Sequence, residues 1–291
     1  MPLSTPVAII VFNRPEHTRR VLDCIAPAAP QRLYVIADGP RPDHPEDAEK
    51  CTAVRKLFDD LPWDCDVVRN FSPVNLGCGL RPATGLTRLF EQCDQAVVLE
   101  DDHLPAPDFF SFCETMLTRY ADNEKMMHVN GANYLREWQP HSQSYFFSRL
   151  MMPTGWASWA RAWQHFDFDL RFWDTAVFTP NRVADKAQNV LGRTLTNPRC
   201  SWWDFQWAVA IQRNAGLAVT PSVNLVTNAG YDTAGTHTTT GGSPFASIPA
   251  TQLPTPYPYP DSMEIDEEFD AELLKLSHDA DHLFAGALTV S

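Results

Sequence analysis

Three consecutive acids, Glu100-Asp101-Asp102, close a short apolar run, Ala96-Val97-Val98-Leu99. A run of this kind predicts a strand buried on both faces, as in a parallel sheet. Acids at the C-terminal end of such a strand lie where open α/β sheets bind ligands. Clustered carboxylates repel one another unless water or a cation neutralises them. Mg²⁺ and Mn²⁺ suit the place, because hard cations take one or two carboxylates together with phosphate oxygens. The chemistry on offer is a divalent cation holding a phosphate, and the plainer alternative is a solvated acidic turn. A second acid, Asp204, lies in Trp202-Trp203-Asp204-Phe205-Gln206-Trp207. Burial beside indoles raises a carboxylate's pKa and makes it a better proton acceptor; the alternative is an aspartate capping a helix.

Other candidates surround these two. Asn13-Arg14 stands at the first strand–helix junction, where an arginine offers a planar fork to phosphate or base edges. Asp38 precedes Gly39, a common turn pair. Arg81 follows the loop Asn75-Leu76-Gly77-Cys78-Gly79 and would offset diphosphate charge or simply face water. His237, in Thr236-His237-Thr238, would bind a phosphate oxygen, complete a metal shell or sit exposed. Seven of the nine tryptophans fall between Trp156 and Trp207. Trp156, Trp159 and Trp163 have the spacing of a core stripe, yet Trp156 follows the bend Thr154-Gly155, where an exposed ring could stack on a sugar. Trp156 and Trp203 are the expected acceptor contacts.

The elements that would position these residues alternate in type. Val7–Phe12 predicts a strand, followed by a helix through Ile25 with Asn13 as its N-cap. Leu33–Ala37 and Cys65–Val68 predict strands, with helical spacing over Asp43–Asp60 between them. A helix from the glycine-rich loop to about Phe90 leads into the acidic strand; Asp108–Tyr120 reads as a helix and Met127–Gly131 as a strand. Strand–helix alternation with short connections means a parallel sheet with right-handed crossovers. The first 131 residues therefore read as a nucleotide-binding α/β half. The texture changes over 132–240, a mixed, tryptophan-rich lobe. Residues 241–291 read as a proline-rich arm and an acidic terminal helix near 262–285.

Composition narrows the partners. The 291 residues carry a net charge of −13, which argues against nucleic acid or an anionic membrane surface. Seven scattered cysteines without a CxxC pair suit reduced thiols better than disulfides or zinc. With no basic leader and no apolar run long enough to span a bilayer, the expectation is a cytoplasmic protein.

Val7–Arg20, Asp38-Gly39, Asn75-Leu76-Gly77 and Val97–Phe110 together resemble the donor half of GT-A-fold nucleotide-sugar glycosyltransferases. The likeness is strongest to the animal N-acetylglucosaminyltransferase I family, whose metal motif is also Glu-Asp-Asp followed by an Ala-Pro-Asp-Phe-Phe helix start. Ser144–Trp163, Ser201–Trp207, Asn224-Leu225-Val226 and Thr236-His237-Thr238 resemble bacterial sugar transferases of the same superfamily. The resemblance implies a GT-A fold, a Rossmann-like, mostly parallel sheet flanked by helices with a mixed acceptor lobe. It implies an inverting hexosyl- or N-acetylhexosaminyl-transferase that uses Mn²⁺ or Mg²⁺, a nucleotide-sugar donor and a glycan-type acceptor. By the same resemblance Asp102 ligates the metal, and Glu100 and Asp101 face the ribose and sugar. Asn13 and Arg14 face the nucleotide, Asp38 accepts a hydrogen bond from uracil, and His237 belongs to the donor and metal site. Asp204 corresponds to the catalytic base of a Trp-Asp-Asp-Trp segment, from which Trp-Trp-Asp-Phe departs.

Competing readings are fewer. A sugar nucleotidyltransferase needs a glycine-rich loop after the first strand, and Phe12-Asn13-Arg14-Pro15 has no glycine. A haloacid-dehalogenase-type phosphatase needs Asp-x-Asp-x-Thr there. The remaining alternative is a non-catalytic nucleotide-sugar-binding protein of the same fold.

Overall fold

The computed structural model describes residues 2–139, 143–171, 203–230, 245, 247–253, 255–260 and 262–279. His237, Trp173 and Trp202 lie outside them. The chain begins with β1 (Val7–Val11), α1 (Pro15–Ile25), β2 (Arg32–Ala37), α2 (Glu46–Lys56) and β3 (Asp66–Phe71). It continues through α3 (Gly77–Phe90), β4 (Gln95–Glu100), β5 (His103–Pro105), α4 (Asp108–Arg119) and β6 (Met126–Asn130). Then come β7 (Tyr145–Ser148), β8 (Trp156–Trp159), α5 (Ala160–Trp163), α6 (Trp203–Arg213), β9 (Leu217–Pro221), β10 (Val226–Asn228) and α7 (Glu267–Asp279). Eight strands form one sheet in the order β3-β2-β1-β4-β8-β6-β9-β7, and β5 and β10 form a separate antiparallel ribbon.

The expected α/β class is what the chain adopts. The pairs among β1 to β4 are parallel, β6 and β9 are parallel, and β8 runs antiparallel between β4 and β6. Side-chain alternation divides the core into two layers. Val7, Ile9, Val11, Val97 and Leu99 pack on the side of α1 and α4, with Val21, Phe109 and Met116. Ala8, Ile10, Ala96 and Val98 pack on the other side against Leu86 of α3 and Trp203 and Trp207 of α6. α1 buries Thr18, Val21, Leu22 and Ile25, one face at helical spacing, behind Pro15 in its first turn.

Three expectations change. The helix begins at Pro15 with Arg14 in the N-cap position and no side-chain cap, so Asn13 is not the N-cap; its amide goes to Asp47 instead. β3 runs to Phe71 because its pairing with β2 continues to Ala37. Beyond residue 126 the strands extend the first sheet, since β8 pairs with both β4 and β6. The terminal helix docks beside β7: Phe269 and Leu273 are fully buried against Phe146 and Leu150, and Trp138 Nε1 donates to Asp266 at 2.7 Å. Among the described residues no helix is long and apolar enough to cross a membrane.

Candidate functional site

Register brings the predicted residues together. Ile10 lies beside Ile36 and Glu100 in the central strands. The C-terminal ends of β1, β2 and β4 therefore share one edge, which carries Arg14, Asp38 and the three acids.

Arg14 is the cation of this edge. Its guanidinium forms a fork on Asp101, with Nε 3.3 Å from Oδ2 and the terminal nitrogen on Oδ1, and that nitrogen also lies 2.8 Å from Asp102 Oδ2. Burial disfavours the guanidinium's charge, but Asp101 and Asp102 outweigh it and its pKa is raised. One arginine does not neutralise three acids. Burial and the neighbouring Asp102 and Asp101 push the Glu100 carboxyl up, and burial also pushes Asp101 up despite Arg14. The arrangement is short of positive charge.

Asp102 shows where the missing charge fits. Its Oδ2 is taken by Arg14, whereas Oδ1 is buried without a hydrogen-bond partner. Carboxylate oxygens of Glu100 and Asp102 lie within 4.8 Å of each other and of a His103 ring nitrogen. An orphaned carboxylate oxygen beside a second acid fits a hard divalent cation. The ribbon seals this place from one side: the Ala229 N–H donates to the Asp102 carbonyl at 2.8 Å, and a Cβ on Gly230 would collide with Asp102 Oδ2. Gly230 keeps the chain close enough to cover the acid.

Asp204 adds its charge to the surroundings of Glu100 from the other half of the chain. It stands in the first turn of α6, and Oδ1 accepts from the Phe205 N–H at 2.9 Å. Its charge is one of the causes that raise Glu100. The two acidic segments, a hundred residues apart in sequence, are therefore near enough for their charges to interact. Glu100 faces α6 because it alternates in phase with Ala96 and Val98.

Asp38 is present but occupied. Its Oδ1 accepts from the N–H groups of Gly39 at 2.8 Å and Leu76 at 2.9 Å, and Oδ2 from Gly77 N–H at 2.9 Å and Asn75 Nδ2 at 3.1 Å. Burial raises its pKa against the lowering by the Leu76, Gly39 and Gly77 N–H groups and the charge of Arg81. A carboxylate so engaged has little acceptor capacity left for uracil, and its task here is to hold the loop 75–77.

Arg81 is a correction. It is 4% exposed, and it donates from Nε to the Ala37 carbonyl at 3.1 Å and from a terminal nitrogen to Asn70 Oδ1 at 3.0 Å and the Asn70 carbonyl. These bonds tie α3 to the ends of β2 and β3 and leave no exposed fork for a diphosphate. Trp156 and Trp203 are corrections too. Trp156 is fully buried and Trp203 4% exposed, with stacked rings 5.4 Å apart. Trp156 also stacks on His128 at 5.2 Å, and Trp207 Nε1 donates to His128 Nδ1 at 3.2 Å. Sheet and helix close over the stripe, so both indoles are core.

The sequence reading missed His103, Asp47 and Arg41. Asp47 is fully buried, accepts from Asn13 Nδ2 at 2.6 Å and from Arg41 Nε at 2.6 Å, and is pulled down to about 2, chiefly by the Arg41 bonds. It braces the β1–α1 turn, but in sequence it is one acid in a charged helix start. His103 had a signal, its place directly after the acids.

The fold and this edge together define a mixed α/β protein with an arginine-bridged acidic cluster at its strand ends, whose Glu100, Asp102 and His103 atoms are spaced as a metal ion could use them. No family model matches the sequence, and no curated protein matches it. Solved structures do. They include glucosyl-3-phosphoglycerate synthase from Mycobacterium tuberculosis in complex with Mn²⁺, UDP and phosphoglyceric acid, at 14% identity over 68% of this chain and 66% of that one, TM-score 0.31. This chain thus spans just under two thirds of that protein's length. Another is UDP-glucose pyrophosphorylase complexed with UDP-glucose, at 7% identity over 77% and 93%, TM-score 0.38. A third is the inositol-1-phosphate CTP transferase from T. maritima, at 11% identity over 56% and 73%, TM-score 0.32. Likenesses of this size assign no family.

Proposed function

We propose that this chain is an inverting, cation-dependent glycosyltransferase of GT-A type. It moves a sugar from a nucleotide diphosphate donor to a hydroxyl of a glycan-type acceptor. The observation that supports this best is the unpartnered Asp102 Oδ1 beside Glu100, with Asp204 near enough for its charge to help raise the Glu100 carboxyl. Residues 1–131 serve as the donor half, 132–240 as the acceptor lobe and 241–291 as the arm and docking helix.

Asp102 and Glu100 would hold Mn²⁺ or Mg²⁺, whose contribution when bound is Lewis-acid stabilisation of the departing diphosphate. Asp101 holds Arg14 in place, and Arg14 presents positive charge to the donor phosphates. Asp38 shapes the loop 75–77, which faces the nucleotide; UDP is the nucleotide the resemblance favours. His237 follows Gly230 by seven residues and is a further donor-site candidate. Asp204 takes the proton of the acceptor hydroxyl while its oxygen attacks the anomeric carbon. The bond to the diphosphate breaks on the opposite face, a single displacement that inverts configuration.

The test is Asp204→Asn. Donor binding, read as Mn²⁺-dependent thermal stabilisation by UDP, should stay near normal while transfer on a donor and acceptor panel disappears. Near-wild-type turnover would remove Asp204 from the base role. Stabilisation of the wild-type protein without turnover on any pair would favour the non-catalytic binding protein.

A further inference from the structure

His103 looks at first like a third ligand, because one of its nitrogens falls in the same cluster as the oxygens of Glu100 and Asp102. Its hydrogen bonds point elsewhere. The ring is 3% exposed, and Nδ1 accepts from two backbone N–H groups, Glu100 at 3.0 Å and Gly155 at 3.1 Å. Two donors aimed at one nitrogen require that it carry a lone pair. An imidazole that keeps the lone pair on Nδ1 cannot be the cation, and in its neutral form it carries one proton. That proton therefore sits on Nε2. The same nitrogen lies 3.6 Å from Asp102 Oδ1, the oxygen without a partner. A protonated Nε2 has no lone pair to give a cation. Moving the proton to Nδ1 would set three N–H groups against one another in a buried place.

We propose that His103 is a positioning residue for the cation site and not one of its ligands. Its Nε2–H faces Asp102 Oδ1 across 3.6 Å, too far to occupy that oxygen as a hydrogen bond would, while its two Nδ1 bonds hold the Glu100 end of β4 and the Gly155 bend in place around it. The residue also joins three elements. It starts β5, whose pairing with Asn228 brings the Gly230 strap over Asp102, and it satisfies the Gly155 amide at the bend before β8. Gly155 adopts φ +58 and is packed against Val226, so this bend is set closely. One imidazole thus ties the metal-binding end of β4 to the bend and to the ribbon. The inference rests on the proposed function in one respect, that a divalent cation binds at Asp102.

Nitrogen-15 NMR of the histidine-labelled full chain tests it, first without ions and then saturated with Mg²⁺. Proton on Nε2 and lone pair on Nδ1 are expected in both states. A proton on Nδ1 without ions overturns the assignment, and so does loss of the Nε2 proton on adding Mg²⁺, which would make His103 a ligand. His103→Ala, which removes both Nδ1 bonds, should weaken Mn²⁺ binding about 10- to 100-fold. Binding is followed by the electron paramagnetic resonance of free Mn²⁺, and unchanged affinity overturns the positioning role. A wild-type chain that binds neither Mg²⁺ nor Mn²⁺ sinks the cation reading itself, whichever nitrogen holds the proton.

Discussion

Replacing Arg14 with methionine tests whether the acidic edge is held by opposite charge. Arg14 and Asp101 have side chains 21% and 5% exposed, and Asp102 is 12% exposed. Removing one partner of a buried pair costs about 3–5 kcal/mol, because the remaining charge stays desolvated. The partial exposure of Arg14 puts the expected loss near the lower end, ~3 kcal/mol. At roughly 2–4 °C per kcal/mol, that is a melting temperature lower by roughly 6–12 °C. The pH dependence follows from the acids. Glu100 and Asp101 are raised above their ordinary values in the fold. They therefore favour the folded state while protonated and oppose it as pH rises through their folded values, so the deficit should widen toward neutral pH. A divalent ion should restore more stability in the variant than it adds to the wild type, because it binds without Arg14's positive charge beside it. Saturation at a hundred times the dissociation constant contributes about 2.7 kcal/mol, enough to offset most of the loss. The assay is thermal melting from pH 5 to 8, with and without Mg²⁺ or Mn²⁺. A variant as stable as wild type at neutral pH, or one rescued less than wild type is stabilised, would refute the argument.

Two further substitutions separate structural from functional roles. Asp38→Asn places an amide N–H among the donors of loop 75–77, each bond to the original carboxylate being worth about 1.5–3 kcal/mol. UDP, CDP and GDP affinities should fall by the same factor in titration calorimetry; a loss confined to UDP would return Asp38 to base recognition. Trp156→Ala should cost about 3–5 kcal/mol in denaturant unfolding, as expected for emptying a buried aromatic site. A stability change below ~0.5 kcal/mol together with a raised acceptor KM would make the ring an exposed platform after all.

How legible all this was depended on whether the deciding interaction is local. The β1-α1-β2 alternation was readable because β-branched runs and proline-led helix starts act within a few residues. The Glu-Asp-Asp strand end was readable because an apolar run predicts a buried strand and the acids after it mark where that strand ends. The fate of single polar and aromatic residues was not readable. Arg81 is internal because the carbonyls at the ends of β2 and β3 need donors, and those strands lie at least ten residues away in sequence. Trp156 is core because β8 inserts between β4 and β6, a pairing no local pattern encodes. Asp38 serves a loop nearly forty residues downstream, and His103 takes its tautomer from an amide 52 residues away. The sequence by itself determined which residues could carry charge, bury or turn, and so the layered sheet and an acidic edge on it. Tertiary structure alone decided which of those groups are already engaged. A carboxylate, guanidinium or indole has few partners to satisfy, and long-range pairing settles whether any capacity remains for a ligand.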